Sequence, residues 1–376
     1  MSSANYRALL RTPGAAAFFL TATAGRIGIA MTSLGIVWLV HDHTGSYATA
    51  GIVTGSFAVA EALVGPQVAR GIDRFGQTRV LPPLLFAHAA AAVTLLALVT
   101  GGSPGWLMAA GGVLLGGTIP QLGALSAARW AALLRVDGGA AALLPTAFAL
   151  ESLANGLAFL AGPVVVSVLA ASGHPTLGTG LAAALVVAGG LALAGQRRTA
   201  PPRASSRLES RRAGRSLLRP GFAVLVGLNL AIGVYFGAMQ VSVMAFSIEH
   251  GAADAAARLV AVSSCSGLLA GWLYGLRRWR TRPQRQLALI TAWLALACLA
   301  LHAASSPMGL GFVVVLTGGS IPPILVLFSV LTESSVHRAA LTQAFTWLNS
   351  ASAAGLAGAA AVSGRAVDAF GAHGGF

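Results

Sequence analysis

Residues 14–40 read GAAAFFLTATAGRIGIAMTSLGIVWLV. A helix needs about 20 consecutive apolar residues to cross the hydrocarbon core of a bilayer. This run exceeds that length with a single ionisable residue, Arg26. It is also too long for the apolar part of a secretory leader, about 7–15 residues. It therefore reads as a first membrane span, preceded by Arg7 and Arg11. Ten further apolar runs follow, at 47–69, 79–100, 105–128, 142–170, 176–195, 221–247, 255–276, 286–304, 308–330 and 341–363. Turn signals separate them, among them His41-Asp42-His43-Thr44-Gly45, Gly101-Gly102-Ser103-Pro104-Gly105, Ser172-Gly173-His174-Pro175 and Ser305-Ser306-Pro307.

Composition leads to the same class. Hydrophobic residues make up 56% of the 376 and charged residues only 9%, against about 25% charged in a soluble domain. Mean hydropathy is +0.77. There is too little polar material to clothe a soluble fold, whereas a lipid-facing surface is apolar by requirement. The fold class is an all-α membrane protein.

The net charge of +14 raises the question of nucleic acid, and the distribution of charge answers it. All 24 basic residues are arginine, and 21 of them sit in the N-terminal stretch and alternate connections between the apolar runs. A nucleic-acid face places Lys and Arg beside exposed aromatics on a soluble module. Here the asymmetry follows the positive-inside rule and puts the N-terminus in the cytoplasm of a cell that carries the chain in its plasma or inner membrane. Cys265 and Cys298 lie within apolar runs and read as small buried hydrophobes.

The one long connection, from Arg197 to Pro220, is rich in Arg, Ser and Pro and reads as a mobile linker. It divides the chain into a six-span bundle, 1–196, the linker, 197–220, and a five-span bundle, 221–376. The halves share a motif. Gly116-Gly117-Thr118-Ile119-Pro120 in span four returns as Gly318-Gly319-Ser320-Ile321-Pro322 in span ten. Parallel repeats of this kind build two-bundle transporters. Eleven spans leave Phe376 outside, and the tail Phe370-Gly371-Ala372-His373-Gly374-Gly375-Phe376 resembles the turn before a missing twelfth span.

After span two comes Gly65-Pro66-Gln67-Val68-Ala69-Arg70-Gly71-Ile72-Asp73-Arg74-Phe75-Gly76-Gln77-Thr78-Arg79. This resembles the signature loop of the major facilitator superfamily, G-x-L-A-D-R-x-G-R-R, with Asp73, Arg74, Gly76 and Arg79 matching. Ala69 replaces the first glycine, and Gln77-Thr78 replace basic residues. Ala128-Arg129-Trp130-Ala131, Leu273-Tyr274-Gly275-Leu276-Arg277-Arg278-Trp279 and Ala344-Phe345-Thr346-Trp347-Leu348 extend the resemblance, toward a bacterial exporter-like branch. It implies two pseudo-symmetric bundles, alternating access, a cytoplasmic gate at Asp73, Arg74, Gly76, Arg79 and Arg129, and proton-coupled efflux of a small organic or drug-like solute by a monomer. Two features depart from the antiporter pattern: no Arg lies midway along span four, and Gly162-Pro163 is followed by Val164-Val165-Val166 rather than glycine. An uncoupled facilitator or importer fits these departures; a non-transporting scaffold or sensor is the rival of another class.

An ionisable group inside a span is a functional hypothesis by default. Arg26, Glu61 and Glu151 qualify. At 1.5 Å per residue they lie about 18, 12 and 13–14 Å from the inner face. That common depth predicts a buried cluster in which Arg26 pairs with Glu151, Glu61 or both, either as a proton-coupling device or as a static packing pair. Gln121, Asn155, Asn229, Gln240 and Asn349 are candidates to line a cavity, and Tyr235 and Trp347 to stack on a solute. Glu333, beside His337 and Arg338, reads as a gate element or a solvated pair. His41 and His43 lack the further ligands that a metal needs. With no lysine there is no phosphate-binding P-loop, and no catalytic triad stands out. No cofactor, metal or enzymatic activity is expected; the partners are a small solute, protons and the lipid bilayer.

Overall fold

The computed structural model describes residues 3–136, 140–203, 206–249, 253–277, 279–303 and 307–370. In chain order the helices are α1 (Ser3–Arg11), α2 (Ala15–Thr44), α3 (Tyr47–Phe75), α4 (Gln77–Thr100), α5 (Gly105–Thr118), α6 (Leu122–Val136), α7 (Leu144–Ala171), α8 (Pro175–Gly195), α9 (Arg207–Ser216), α10 (Pro220–Glu249), α11 (Ala253–Leu276), α12 (Pro283–Leu299), α13 (Pro307–Ser335) and α14 (Leu341–Phe370). No β-strand occurs among the described residues. Nine helical segments there are long and apolar enough to cross a membrane. The eleven runs expected from the sequence include two that fall outside this set: α12, with 17 residues, and α14, whose first half carries Thr342, Gln343, Asn349 and Ser350.

Helices α2 to α8 pack into one bundle and α10 to α14 into another. Apolar side chains gain nothing from leaving lipid for one another, so close backbone approach at small residues drives helix pairing in membranes. Along α2 and α8, a Cβ on Gly189 would lie 2.6 Å from Thr21 O and 2.7 Å from Gly25 N. Between α3 and α5, a Cβ on Gly112 would lie 2.6 Å from Val53 O, and one on Gly116 would strike Phe57 O. In the other bundle, Gly233 faces Ser352 O and Gly355 faces Leu230 O across α10 and α14.

The shared five-residue motif has two fates. In the first bundle it interrupts the span. Helix α5 ends at Thr118, Ile119 is extended (φ −67°, ψ 124°), and α6 restarts at Leu122. Pro120 has no N–H to continue the ladder and its ring clashes with the preceding turn. In the second bundle α13 runs unbroken through Pro322 and Pro323. There Pro322 packs on Gly267 and Gly271 of α11, where a Cβ would come within 3.5 and 3.0 Å of its ring.

The connection expected to be a mobile linker instead contains helix α9. Ser206 caps it by accepting from Glu209 N at 3.1 Å, half of a Ser-x-x-Glu capping box. Ala213 is buried, and Ser216 Oγ accepts from His337 N at 3.0 Å, which docks the helix on the α13–α14 junction.

If glycine contacts set the helix spacing, Gly189→Ala destabilises the protein by about 1–3 kcal/mol, the range for overpacking. Gly180→Ala, on the same helix but facing open space, is neutral or slightly stabilising. Unfolding midpoints of the two variants in one detergent test this; equal midpoints would refute it.

Candidate functional site

Arg26 is buried at 5% exposure in the first bundle, turned away from lipid by the glycine face that seats α2 on α8. Its guanidinium forms a close ion pair with the Glu151 carboxylate of α7. It also donates to Glu151 O at 3.4 Å and Gly123 O at 3.5 Å. Glu151 Oε1 accepts from Ser126 Oγ at 2.6 Å and from Trp130 Nε1 at 2.8 Å. Ser126 and Trp130 stand four residues apart on α6, so one helical face presents both donors. Trp130 is fully buried, with its ring 4.8 Å from that of Phe18. The result is a carboxylate with a cation and two neutral donors, the condition under which a buried ion pair is tolerated.

Glu61 stands apart from this network. Of the two pairings the sequence leaves open, Arg26 takes Glu151. Glu61 Oε1 accepts from Gln121 Nε2 at 3.0 Å. Gln121 occupies the break between α5 and α6, so the interruption of the span delivers the amide to Glu61. One turn along α3, a Cβ on Gly65 would lie 3.4 Å from Thr346 Cγ2 of α14 and 3.7 Å from Gln121 Nε2. Glu61 therefore lies beside the crossing of α3 and α14, where the two bundles meet.

The signature loop sits at the end of the molecule that carries most of the arginines. Gly76 has φ +95°, a conformation only glycine adopts without strain, and turns the chain from α3 into α4. Asp73 Oδ2 accepts from Gln343 N of α14 at 2.9 Å and also faces Thr342. A carboxylate from one bundle thus caps the N-terminus of a helix in the other, where orphan N–H groups and the helix dipole favour negative charge. The partner of this gate carboxylate is thus a helix end. Arg74 lies over the Phe75 ring at 5.0 Å and is exposed, as is Arg79.

Arg129 is fully buried. It donates to Gln77 Oε1 at 2.8 Å, Thr199 Oγ1 at 2.8 Å, Gln196 O at 2.9 Å and Leu193 O at 2.9 Å. The last carbonyls of α8 stabilise its charge, and Gln77 links it to the turn that carries Asp73. Further contacts across the bundles gather at this end. Arg135 pairs with Glu333, Thr146 Oγ1 donates to Gly275 O at 3.0 Å, and Tyr6 OH donates to Trp272 O at 3.1 Å.

The remaining candidates divide. Asn155, Gln240, Trp347 and Asn349 are exposed. Tyr235 OH donates to Thr317 Oγ1 at 2.7 Å. Asn229 is buried and its amide donates to Leu225 O, one turn back on its own helix, at 3.0 Å; that bond serves packing.

The family model described as Major Facilitator Superfamily matches residues 16–370. Among solved structures the chain is similar to the human organic anion transporter MFSD10 (TETRAN), at 15% identity over 96% of this chain and 95% of that one, with a TM-score of 0.69. It is similar to a bacterial homologue of the iron transporter ferroportin in an outward-facing state, at 13% identity over 93% and 92%, TM-score 0.69. The E. coli fucose:proton symporter FucP aligns at 14% identity over 99% and 95%, TM-score 0.69. At these identities the likeness concerns the fold. No curated protein matches the sequence.

Removing one partner of a buried pair strands the other, at a cost of about 3–5 kcal/mol. Arg26→Met is therefore strongly destabilising, and Arg26→Met with Glu151→Gln recovers most of the loss; additive effects in a double-mutant cycle would contradict the pairing. Asp73→Ala removes a helix cap worth about 1 kcal/mol and accelerates amide exchange over residues 341–346 about fivefold. Exchange at the parent rate would mean that Asp73 holds nothing across the bundles.

Proposed function

Because the chain belongs to the major facilitator superfamily, we propose that this multi-pass membrane transporter exports a small organic, drug-like solute in exchange for inward-moving protons. The segments 1–196 and 221–376 act as the two rocking bodies, and the arginine-rich end, with the N-terminus, faces the cytoplasm of the cell membrane. The working unit is a monomer.

The observation that carries this reading is the contrast between the two intramembrane glutamates. Glu151 is matched by Arg26, Ser126 and Trp130 within one bundle. Such a group has no vacancy for a travelling proton, and its role is to hold α2, α6 and α7 together. Glu61 has an amide as its hydrogen-bond donor and lies where α3 meets α14. An ionised carboxylate in a low-dielectric site demands a counter-charge. Either a proton or a cationic group on the solute supplies it, and competition between the two at one carboxylate is the logic of exchange.

The contacts across the bundles support an outward-open form closed at the arginine-rich end. Asp73 on the α14 terminus, Arg135 on Glu333 and Tyr6 on Trp272 all sit there. The departing solute and the entering proton then meet Glu61 from the opposite side. When that closure opens, Glu61 faces the cytoplasm, releases its proton and accepts the next solute. Asn155, Gln240, Trp347 and Asn349 are the groups we assign to solute contact, with Tyr235 behind them.

The test uses cells without their own efflux pumps, challenged with toxic amphiphiles, and then vesicles with an imposed pH gradient. The parent chain protects and drives export. Glu61→Gln lowers proton-driven export about tenfold or more and weakens solute–solute exchange with it, because one carboxylate serves both the proton and the solute. Undiminished pH-driven export by Glu61→Gln would sink the assignment. Gradient-independent uptake by the parent would replace the exporter with a facilitator.

A further inference from the structure

Helix α9 should not be stable by itself. It has ten residues, below the roughly 12–15 that an isolated helix needs in water. Arg212 and Arg215 stand three residues apart on it, which brings like charges onto one face, and Arg219 follows just past its end. The helix nevertheless forms and docks through Ser216 on His337 N and through Arg219 Nη1 on Ser335 O at 3.5 Å. Between α9 and the end of α13 is a cleft of about 400 Å3, lined by Arg212, Arg215, Arg219, Ser334, Ser335 and His337.

The acids close to this cleft are engaged elsewhere. Glu209 reaches Arg338 at 3.9 Å, and Glu333 is paired with Arg135 of the other bundle. Among the described residues no carboxylate pairs with Arg212, Arg215 or Arg219. Three exposed guanidinium groups line this cleft beside Ser334, Ser335 and His337 with no protein anion to answer them; Ser334 Oγ donates to Leu331 O at 3.0 Å and His337 Nδ1 accepts from Ala339 N at 3.3 Å. Planar guanidinium forks match phosphate oxygens in pairs.

We propose that this cleft binds a phosphate-bearing anion, which staples the connecting segment to the second bundle. The site is separate from the transport pathway, and its existence does not depend on the exporter reading. Its position gives it leverage. His337 is four residues before Leu341, where α14 begins, and Asp73 caps that same terminus. Glu333 of the Arg135 pair lies next to Ser334. An anion seated here holds α9 against the α13–α14 junction, beside the groups that close the arginine-rich end.

The phosphate has two possible carriers, an anionic lipid headgroup or a soluble phosphate compound, and the experiment separates them. The full chain is placed in nanodiscs of pure phosphatidylcholine and titrated with pyrophosphate by calorimetry. In parallel it is placed in mixed phosphatidylcholine–phosphatidylglycerol nanodiscs, and retained lipid is counted by native mass spectrometry. Arg212→Gln/Arg215→Gln is the test variant, Arg212→Lys/Arg215→Lys keeps charge without the fork, and Arg280→Gln/Arg285→Gln removes charge from another basic surface. Matching elution profiles and unfolding midpoints establish that all are folded.

The proposal expects the parent and the Arg280/Arg285 variant to bind at least one probe alike. The glutamine variant should bind about tenfold more weakly and the lysine variant in between, as for a bidentate site. Binding of phosphatidylglycerol alone identifies a lipid carrier, and binding of pyrophosphate alone a soluble one; either supports the site. Absence of binding to both probes by the parent, or equal binding by parent and glutamine variant, overturns it.

Discussion

Close backbone contact at glycine is the constraint from which the rest of this structure follows. In lipid, side-chain burial gives little net drive to pair helices, so pairing depends on how near two backbones can come. Gly25 and Gly189 bring α2 against α8, and this seating aims Arg26 inward at α6 and α7. A cation so placed requires an anion, hence Glu151, and Glu151 requires donors for its second oxygen, hence Ser126 and Trp130. Each polar group is a consequence of the preceding one, and the series starts from the absence of a methyl group.

The spans were legible because lipid imposes one simple rule on the sequence: long apolar runs with charge confined to the connections. Rise per residue converts position into height and brings Arg26 and Glu151 to one level. It could not tell Glu151 from Glu61, because height says nothing of the angle around the bundle axis. Ser126 and Trp130 escaped notice because hydroxyl and indole groups are common in membrane helices, although their four-residue spacing was a signal. Helix α9 was hidden by its arginines and prolines, yet Ser206-x-x-Glu209 announced its start. The partner of Asp73 was invisible for a different reason. A helix terminus offers backbone N–H groups, and Ala339-Ala340 ahead of α14 hold no Ser, Thr, Asn or Asp cap to mark this one.

The two copies of the Gly-Gly-Thr/Ser-Ile-Pro motif show how much a local sequence leaves to its neighbours. Proline removes a hydrogen bond in both. In α13 the ring rests on two glycines of α11, and the helix continues. In the first bundle the chain unwinds between Thr118 and Leu122 and gives Gln121 to Glu61. The same five positions thus serve as a packing surface in one half and as the source of a ligand-like amide in the other. Like sequence supplies like material, and unlike contacts turn it to different ends.

The bonding of Arg129 bears on how the chain is made. Its partners are Gln77, Leu193, Gln196 and Thr199, and those of the Arg26 pair end at Glu151. Both buried cations therefore find their acceptors among residues that leave the ribosome before α9 does. Synthesis proceeds from the N-terminus at about 5–20 residues per second, so the first bundle can settle its charges while the second is still being translated. The nascent first half thus carries the acceptors for both guanidinium groups within itself, ahead of any contact with the second.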